Sequence, residues 1–160
     1  MFDQELLEMV KKIKAEAVEK NYKIAVAESC TGGLVSSYLT SISGASSYFI
    51  TGIVSYSNEI KTKLLNVPAE VLSRSGAVSE EVAKYMVKGV QKLSNADVAL
   101  SVTGLAGPDS DESNNPIGMV CFGLYKNKEI FTSILYFSRN RDEIRHLACS
   151  HALTLILQNL

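Results

Sequence analysis

The stretch AVAESCTGG, residues 25–33, ends an apolar run on a glutamate, a serine, a cysteine and a threonine, and two glycines follow. Three side-chain nucleophiles, Ser29, Cys30 and Thr31, therefore stand where a buried strand would hand over to a helix. The first turn of a helix carries unpaired N–H donors and the positive end of the helix dipole. Glycine there lets a ligand come close to the backbone. A turn made of Cys30, Thr31, Gly32 and Gly33 can hold a phosphate or carboxylate, or stabilise an oxyanion. The same residues also fit an ordinary strand-to-helix junction, with Ser29 or Thr31 as N-cap and Gly32-Gly33 as close packing. The spacing is that of neither a P-loop nor GxGxxG.

A second group of residues lies in VSYSNEIKTK, residues 54–63. Tyr56 ends a strand, and Lys61 falls in the first turn of the next helix. On a helical wheel Ile60, Leu64 and Val67 form the inward stripe, with Lys61 at its edge and Lys63 wetter. A lysine at a helix N-terminus is badly placed for its charge, and partial burial adds to that, so both effects lower its pKa. A neutral lysine amine can serve as general base for a serine; an ordinary surface lysine is the alternative. Further on, SVTGLAGPDSDESNNPIG takes a buried strand to Thr103-Gly104 and opens a long polar loop at Gly107-Pro108. Strand-end loops often carry sites, although turn chemistry alone accounts for these residues. Asp109, Asp111 and Glu112 lack the spacing of a calcium loop. Arg139, Arg141 and Arg145 flank the start of the last helix, where they can grip a phosphate or simply face water. Three cysteines without a CxxC pair, and histidines only at 146 and 151, suit neither a disulfide framework nor a metal centre.

These residues need elements to position them. The 160 residues are about one domain's worth, spanning 1–160, and the formal net charge of −1 points to no nucleic acid. No apolar run approaches the ~20 residues of a membrane span. The N-terminus lacks a basic start and apolar middle, so a cytoplasmic protein is expected. Hydrophobic spacing predicts helices over 3–20, 31–42, 59–66 and 141–159, and a short turn or helix over 68–73. Another helix begins after the N-cap Ser79, with Val82, Met86, Val90 and Leu93 as its stripe. Strands are predicted over 23–27, 49–57 and 98–103, and a hairpin over 117–125 and 130–137. Helices and strands alternate early and a hairpin comes late. The expected fold is α/β, a mixed sheet covered by helices on both faces.

Five ordered motifs, AESCTGG (27–33), YSNEIK (56–61), GAVSEEVA (76–83), TGLAGPD (103–109) and PIGMV (116–120), resemble the CinA C-terminal domain family of competence/damage-inducible proteins. That family includes stand-alone bacterial nicotinamide mononucleotide amidohydrolases, and the resemblance covers nearly the whole chain. It implies hydrolysis of nicotinamide mononucleotide to nicotinate mononucleotide and ammonia in pyridine nucleotide (NAD) salvage. It also implies a three-layer α/β/α sandwich, no metal or cofactor, a small nucleotide as the partner and a homo-oligomer. The larger members carry an extra N-terminal domain, which is not expected ahead of the single helix that begins this chain. The family's serine–lysine chemistry maps onto Ser29 as nucleophile and Lys61 as its base, with Tyr56 to relay the proton or fix Lys61. The N–H groups of Cys30, Thr31, Gly32 and Gly33 would hold the oxyanion; Thr103, Gly104 and Arg141 would position the ribose phosphate. Cys30 is the rival nucleophile, without an evident histidine partner. One departure stands out: the family often has two glycines after Gly-Pro-Asp, whereas this loop continues Ser110-Asp111-Glu112. The alternative is a catalytically inactive nucleotide-binding or assembly module of the same fold.

Overall fold

A computed structural model describes residues 2–160. Helix α1, Gln4–Glu19, begins where the Asp3 carboxylate accepts from the Glu5 and Leu6 amides, and it buries Leu6, Val10, Ile13 and Ala17. The chain continues through β1 (Ile24–Glu28), α2 (Leu34–Leu39), β2 (Phe49–Val54), α3 (Asn58–Leu65), α4 (Ala69–Ser75), α5 (Glu80–Ser94), β3 (Val98–Gly104), β4 (Met119–Lys126), β5 (Glu129–Tyr136) and α6 (Arg141–Gln158). The five strands form one sheet in the order β2-β1-β3-β4-β5. β1 is parallel to both β2 and β3, and the β3-β4-β5 part is antiparallel. No helix among the described residues is long and apolar enough to cross a membrane.

The central strand β1 is buried along its whole length and feeds two cores. Ile24 and Val26 face the layer of α1, α2 and α6, where they pack with Val10, Ile13, Val35 and Ile144. Ala25 and Ala27 face the layer of α3, α4 and α5, where they meet Leu65, Val82 and Met86. This is the three-layer α/β/α sandwich with a mixed sheet. In the second layer α3 and α5 cross closely at Gly89, where an added Cβ would sit 2.2 Å from the Leu65 carbonyl oxygen. That approach sets the depth of α3 and of every side chain it carries inward.

The topology also dictates where a site can form. From β1 the chain moves out to β2 on one side, and then returns to β3 on the other. The link after β1 enters α2 on one face, and the link after β2 enters α3 on the opposite face. A crevice therefore opens beyond the C-terminal end of β1, the switch point at which open α/β sheets hold ligands. Ser29 is the first residue past that end.

Several local expectations need correction. The helix expected over 31–42 is only Leu34–Leu39, because Gly33 takes a left-handed conformation (φ 94°) and starts it late. β2 stops at Val54 rather than at 57, and α3 starts at Asn58 rather than at 59, capped by Ser57, which accepts from the Ile60 amide. On α5, Leu93 is 63% exposed and lies off the buried stripe. On α3 the wheel is rotated: Lys61 and Leu65 point inward, whereas Leu64 is exposed.

Candidate active site

Lys61 is the centre of the site. Its side chain is only 1% exposed, one of the largest fully buried in the molecule. The ammonium nitrogen lies 2.7 Å from the Ser55 carbonyl, 3.1 Å from the Tyr56 carbonyl and 3.1 Å from Ser29 Oγ. Burial pulls its pKa from the ordinary 10.5 down to about 8, opposed by the nearby Cys30 thiol. A neutral amine has two hydrogens and one lone pair. Two carbonyls are placed to take the hydrogens, which leaves the lone pair for the Ser29 hydroxyl.

Ser29 is held by its own backbone, whose N–H donates to the Val102 carbonyl on β3 at 2.9 Å. Cys30, the rival nucleophile, is 5% exposed, and burial pushes its thiol up to about 12. The thiolate is the reactive form of cysteine, and it is scarce here at neutral pH.

The turn after Ser29 differs from the expected row of free donors. Gly33 N–H donates to the Glu28 carboxylate at 3.0 Å, and Gly32 N–H to the Ser29 carbonyl at 3.0 Å. The Thr31 hydroxyl also donates to Glu28, at 2.6 Å. Of the four N–H groups expected to be free over Cys30–Gly33, only those of Cys30 and Thr31 donate to no other residue among the described ones.

A cleft of about 440 Å³ opens onto this centre. Ser29, Cys30, Tyr56, Lys61, Thr103, Gly104 and Arg141 all line it. Tyr56 meets Lys61 through its carbonyl; its phenol oxygen instead accepts from Arg141 Nη2 at 3.3 Å. Thr103 is 1% exposed and its hydroxyl donates to the Ala77 carbonyl at 2.8 Å. Arg141 Nη1 donates to the Gly107 carbonyl at 2.6 Å, joining the β3–β4 loop to the tip of β2. Asp109 and Asp111 sit on the same cleft wall as that loop. The histidines go elsewhere: His146 lies 3.7 Å from the Asp3 carboxylate, and His151 packs edge-on against Phe122.

The sequence model of the CinA C-terminal domain matches residues 6–160. This chain belongs to the CinA C-terminal domain family. A CinA-like protein of Syntrophomonas wolfei is 48% identical over 138 residues, covering 86% of this chain and 33% of its own length. A putative competence-damage inducible protein of a Thermoanaerobacter species is 43% identical over 99% of this chain and 38% of its own length. The chain thus spans about a third of the length of the curated relatives it matches. Among solved structures, the competence/damage inducible protein CihA of Agrobacterium tumefaciens superposes with a TM-score of 0.93 at 32% identity, covering 99% of this chain and 97% of that one. A CinA superfamily protein of Escherichia coli gives 0.94 at 28% identity, covering 100% and 94%.

Two residues of this CinA domain carry structural roles that the sequence reading passed over. Glu28 is completely buried and its carboxylate takes five hydrogen bonds. Oε2 accepts from Thr31 Oγ1, Gly33 N and Val35 N, and Oε1 from Ser36 N and Ser36 Oγ. It caps α2 from five residues away, in place of the neighbouring hydroxyls. Arg145, one turn into α6, donates from Nε to the Cys30 carbonyl and from Nη2 to the Thr31 carbonyl, both at 3.1 Å. Peptide groups are planar and trans, so pinning these carbonyls also aims the Thr31 N–H away from Arg145. A glutamate at the end of an apolar strand was a visible signal for the first role. Nothing local marks the second, which depends on a residue 115 positions away.

Glu28→Gln separates a carboxylate from a mere polar side chain. Hydroxyls can rotate to accept from the new amide, but the backbone N–H groups of Gly33, Val35 and Ser36 cannot. Either amide orientation leaves at least one of them facing another donor. Hydrogen bonds to buried charges are worth ~1.5–3 kcal/mol each, so denaturant unfolding should show a loss of about 3 kcal/mol. A loss under about 1 kcal/mol would mean that the cap is not what holds the turn.

Proposed function

We propose that this chain hydrolyses the carboxamide of nicotinamide mononucleotide to nicotinate mononucleotide and ammonia by a serine–lysine mechanism. The observation that carries this reading is the buried Lys61 amine 3.1 Å from Ser29 Oγ, with two carbonyls claiming its hydrogens. Ser29 Oγ attacks the carboxamide carbon while its proton passes to the Lys61 lone pair. The carbonyl oxygen becomes an oxyanion and takes the N–H groups of Cys30 and Thr31, whose peptide planes are set by Gly32 and Arg145. Lys61 then returns the proton to the amide nitrogen, the C–N bond breaks, and ammonia leaves. Water repeats the sequence on the resulting ester: Lys61 takes a proton from it and hands that proton to Ser29 Oγ as the C–O bond breaks, and the acid product loses its remaining proton and departs as the carboxylate.

Thr103, Gly104 and Arg141 hold the ribose phosphate end, Arg141 through guanidinium hydrogens not already used on Gly107 and Tyr56. In this reading the chain works in pyridine nucleotide salvage in the cytoplasm, as a homo-oligomer. A second reading, a binding module without turnover, draws on Asp109 and Asp111, whose charges in the cleft oppose a phosphate. Supplying nicotinamide mononucleotide and measuring ammonia with nicotinate mononucleotide decides between them. Equimolar release is expected. Tight nucleotide binding without ammonia would leave only the module.

A further inference from the structure

Tyr56 stands at the mouth of the cleft, just past β2, and is 61% exposed. Both its polar ends are committed: the carbonyl to Lys61 and the phenol oxygen to Arg141. Arg141 also holds the Gly107 carbonyl, so the phenol end of the ring is tied to the loop that carries Asp109 and Asp111. Lys61 reaches Ser29 directly, and its proton path needs no intermediary. An aromatic ring anchored at both ends and left open in a reactive cleft is a stacking surface. Its face carries partial negative charge and attracts cations. The two carboxylates lining the same cleft add to that attraction.

We infer that the Tyr56 ring is the wall on which the substrate's flat, positively charged pyridinium stacks, with Asp109 and Asp111 supplying counter-charge. The inference rests on the substrate reading given above and deepens it. It assigns the acidic loop a use: the cleft holds a zwitterion, its anionic end toward Arg141 and its cationic ring against tyrosine and carboxylate. Tyr56 is then a binding and specificity residue rather than a proton relay.

The test is calorimetric titration in a Ser29→Ala background, which keeps the ligand intact. The probes are nicotinamide mononucleotide and its reduced form, whose dihydropyridine ring is uncharged while the carboxamide and phosphate are the same. The oxidised form should bind about tenfold or more tightly. Adding Tyr56→Leu should erase most of that preference, and Tyr56→Phe should retain it. Equal binding of the two forms, binding of neither, a preference that survives Tyr56→Leu, or one lost equally with Phe and Leu overturns the stacking role. Ammonia release by the unaltered chain separates this from the substrate reading. Release without any preference for the charged ring overturns the stacking alone. A preference without release keeps the stacking and overturns the hydrolase.

Discussion

Ser29→Ala should lower ammonia release from nicotinamide mononucleotide by about 10⁴-fold or more, while Cys30→Ala stays within about tenfold of the unaltered chain. Removal of a nucleophile in comparable serine hydrolases costs up to ~10⁶ in kcat, with the remainder carried by oxyanion donors and binding. Two neighbouring residues thus differ by three orders of magnitude or more in their expected effect. The physical reason is the partner each finds. Ser29 Oγ has a depressed amine at 3.1 Å to take its proton. Cys30 is as deeply placed, but burial holds its thiol near pKa 12, with the Glu28 charge acting in the same direction. Single-turnover and steady-state rates for the two variants check this. A Cys30→Ala loss as large as that of Ser29→Ala, or activity surviving Ser29→Ala, would reverse the roles.

Lys61→Met carries the second large effect and gives it a pH signature. Methionine fills similar volume without the amine, so kcat should fall about 10²–10⁴-fold, the usual worth of a general base. In the unaltered chain kcat/KM should rise about tenfold per pH unit from acid and level off above about pH 8, as the Lys61 amine loses its proton. The variant should lack that inflection. Stability moves with the same titration, and its sign follows from the direction of the shift. The folded-state pKa is about 8, below the ordinary 10.5, so between those values the unfolded chain holds the extra proton. Stability therefore rises with pH across that window, and below pH 8 the buried ammonium imposes its full penalty. A shift of this size corresponds to about 3 kcal/mol. Denaturant melts of Lys61→Met and the unaltered chain at several pH values should show their stability difference change by that order between pH 8 and 10.5, in favour of the unaltered chain as pH rises. A pH-independent difference would mean that Lys61 holds its proton equally in the folded and unfolded chains, so that its pKa is not depressed by folding.

The depressed lysine explains a feature of the architecture that would otherwise look costly. A lysine at a helix start, under a close helix crossing at Gly89, is destabilising at neutral pH. Buried cations normally gain a carboxylate partner. Here the nearest completely buried carboxylate, Glu28, is spent on α2 instead. The amine receives neutral carbonyls, which hold it in place and leave its pKa low. In the proposed mechanism the stability given up is retained as basicity near neutral pH.

Sequence alone determined the class of fold, because alternation and helical spacing report which residues face a core, and those patterns are local. It also placed Ser29 at a strand end, Lys61 in a first helical turn and Arg141 at a helix start, which is where the fold has them. Element ends were less legible. A glutamate cap and a left-handed glycine shortened α2, and both act through geometry that propensity does not carry. Lys61 was assigned to the edge of its helix because Ile60 and Leu64 are the more hydrophobic pair. The tertiary structure turned Leu64 outward and left Ile60 half-buried, since the Gly89 crossing brings the Lys61–Leu65 side against α5. Only the folded chain could decide which backbone donors stay free, what the Tyr56 phenol touches, and that Arg145 grips the turn after Ser29. The Tyr56 and Arg145 contacts depend on atoms far apart in sequence meeting within 3–4 Å, a condition set by the packing of α6 against one switch point and not by any local run of residues.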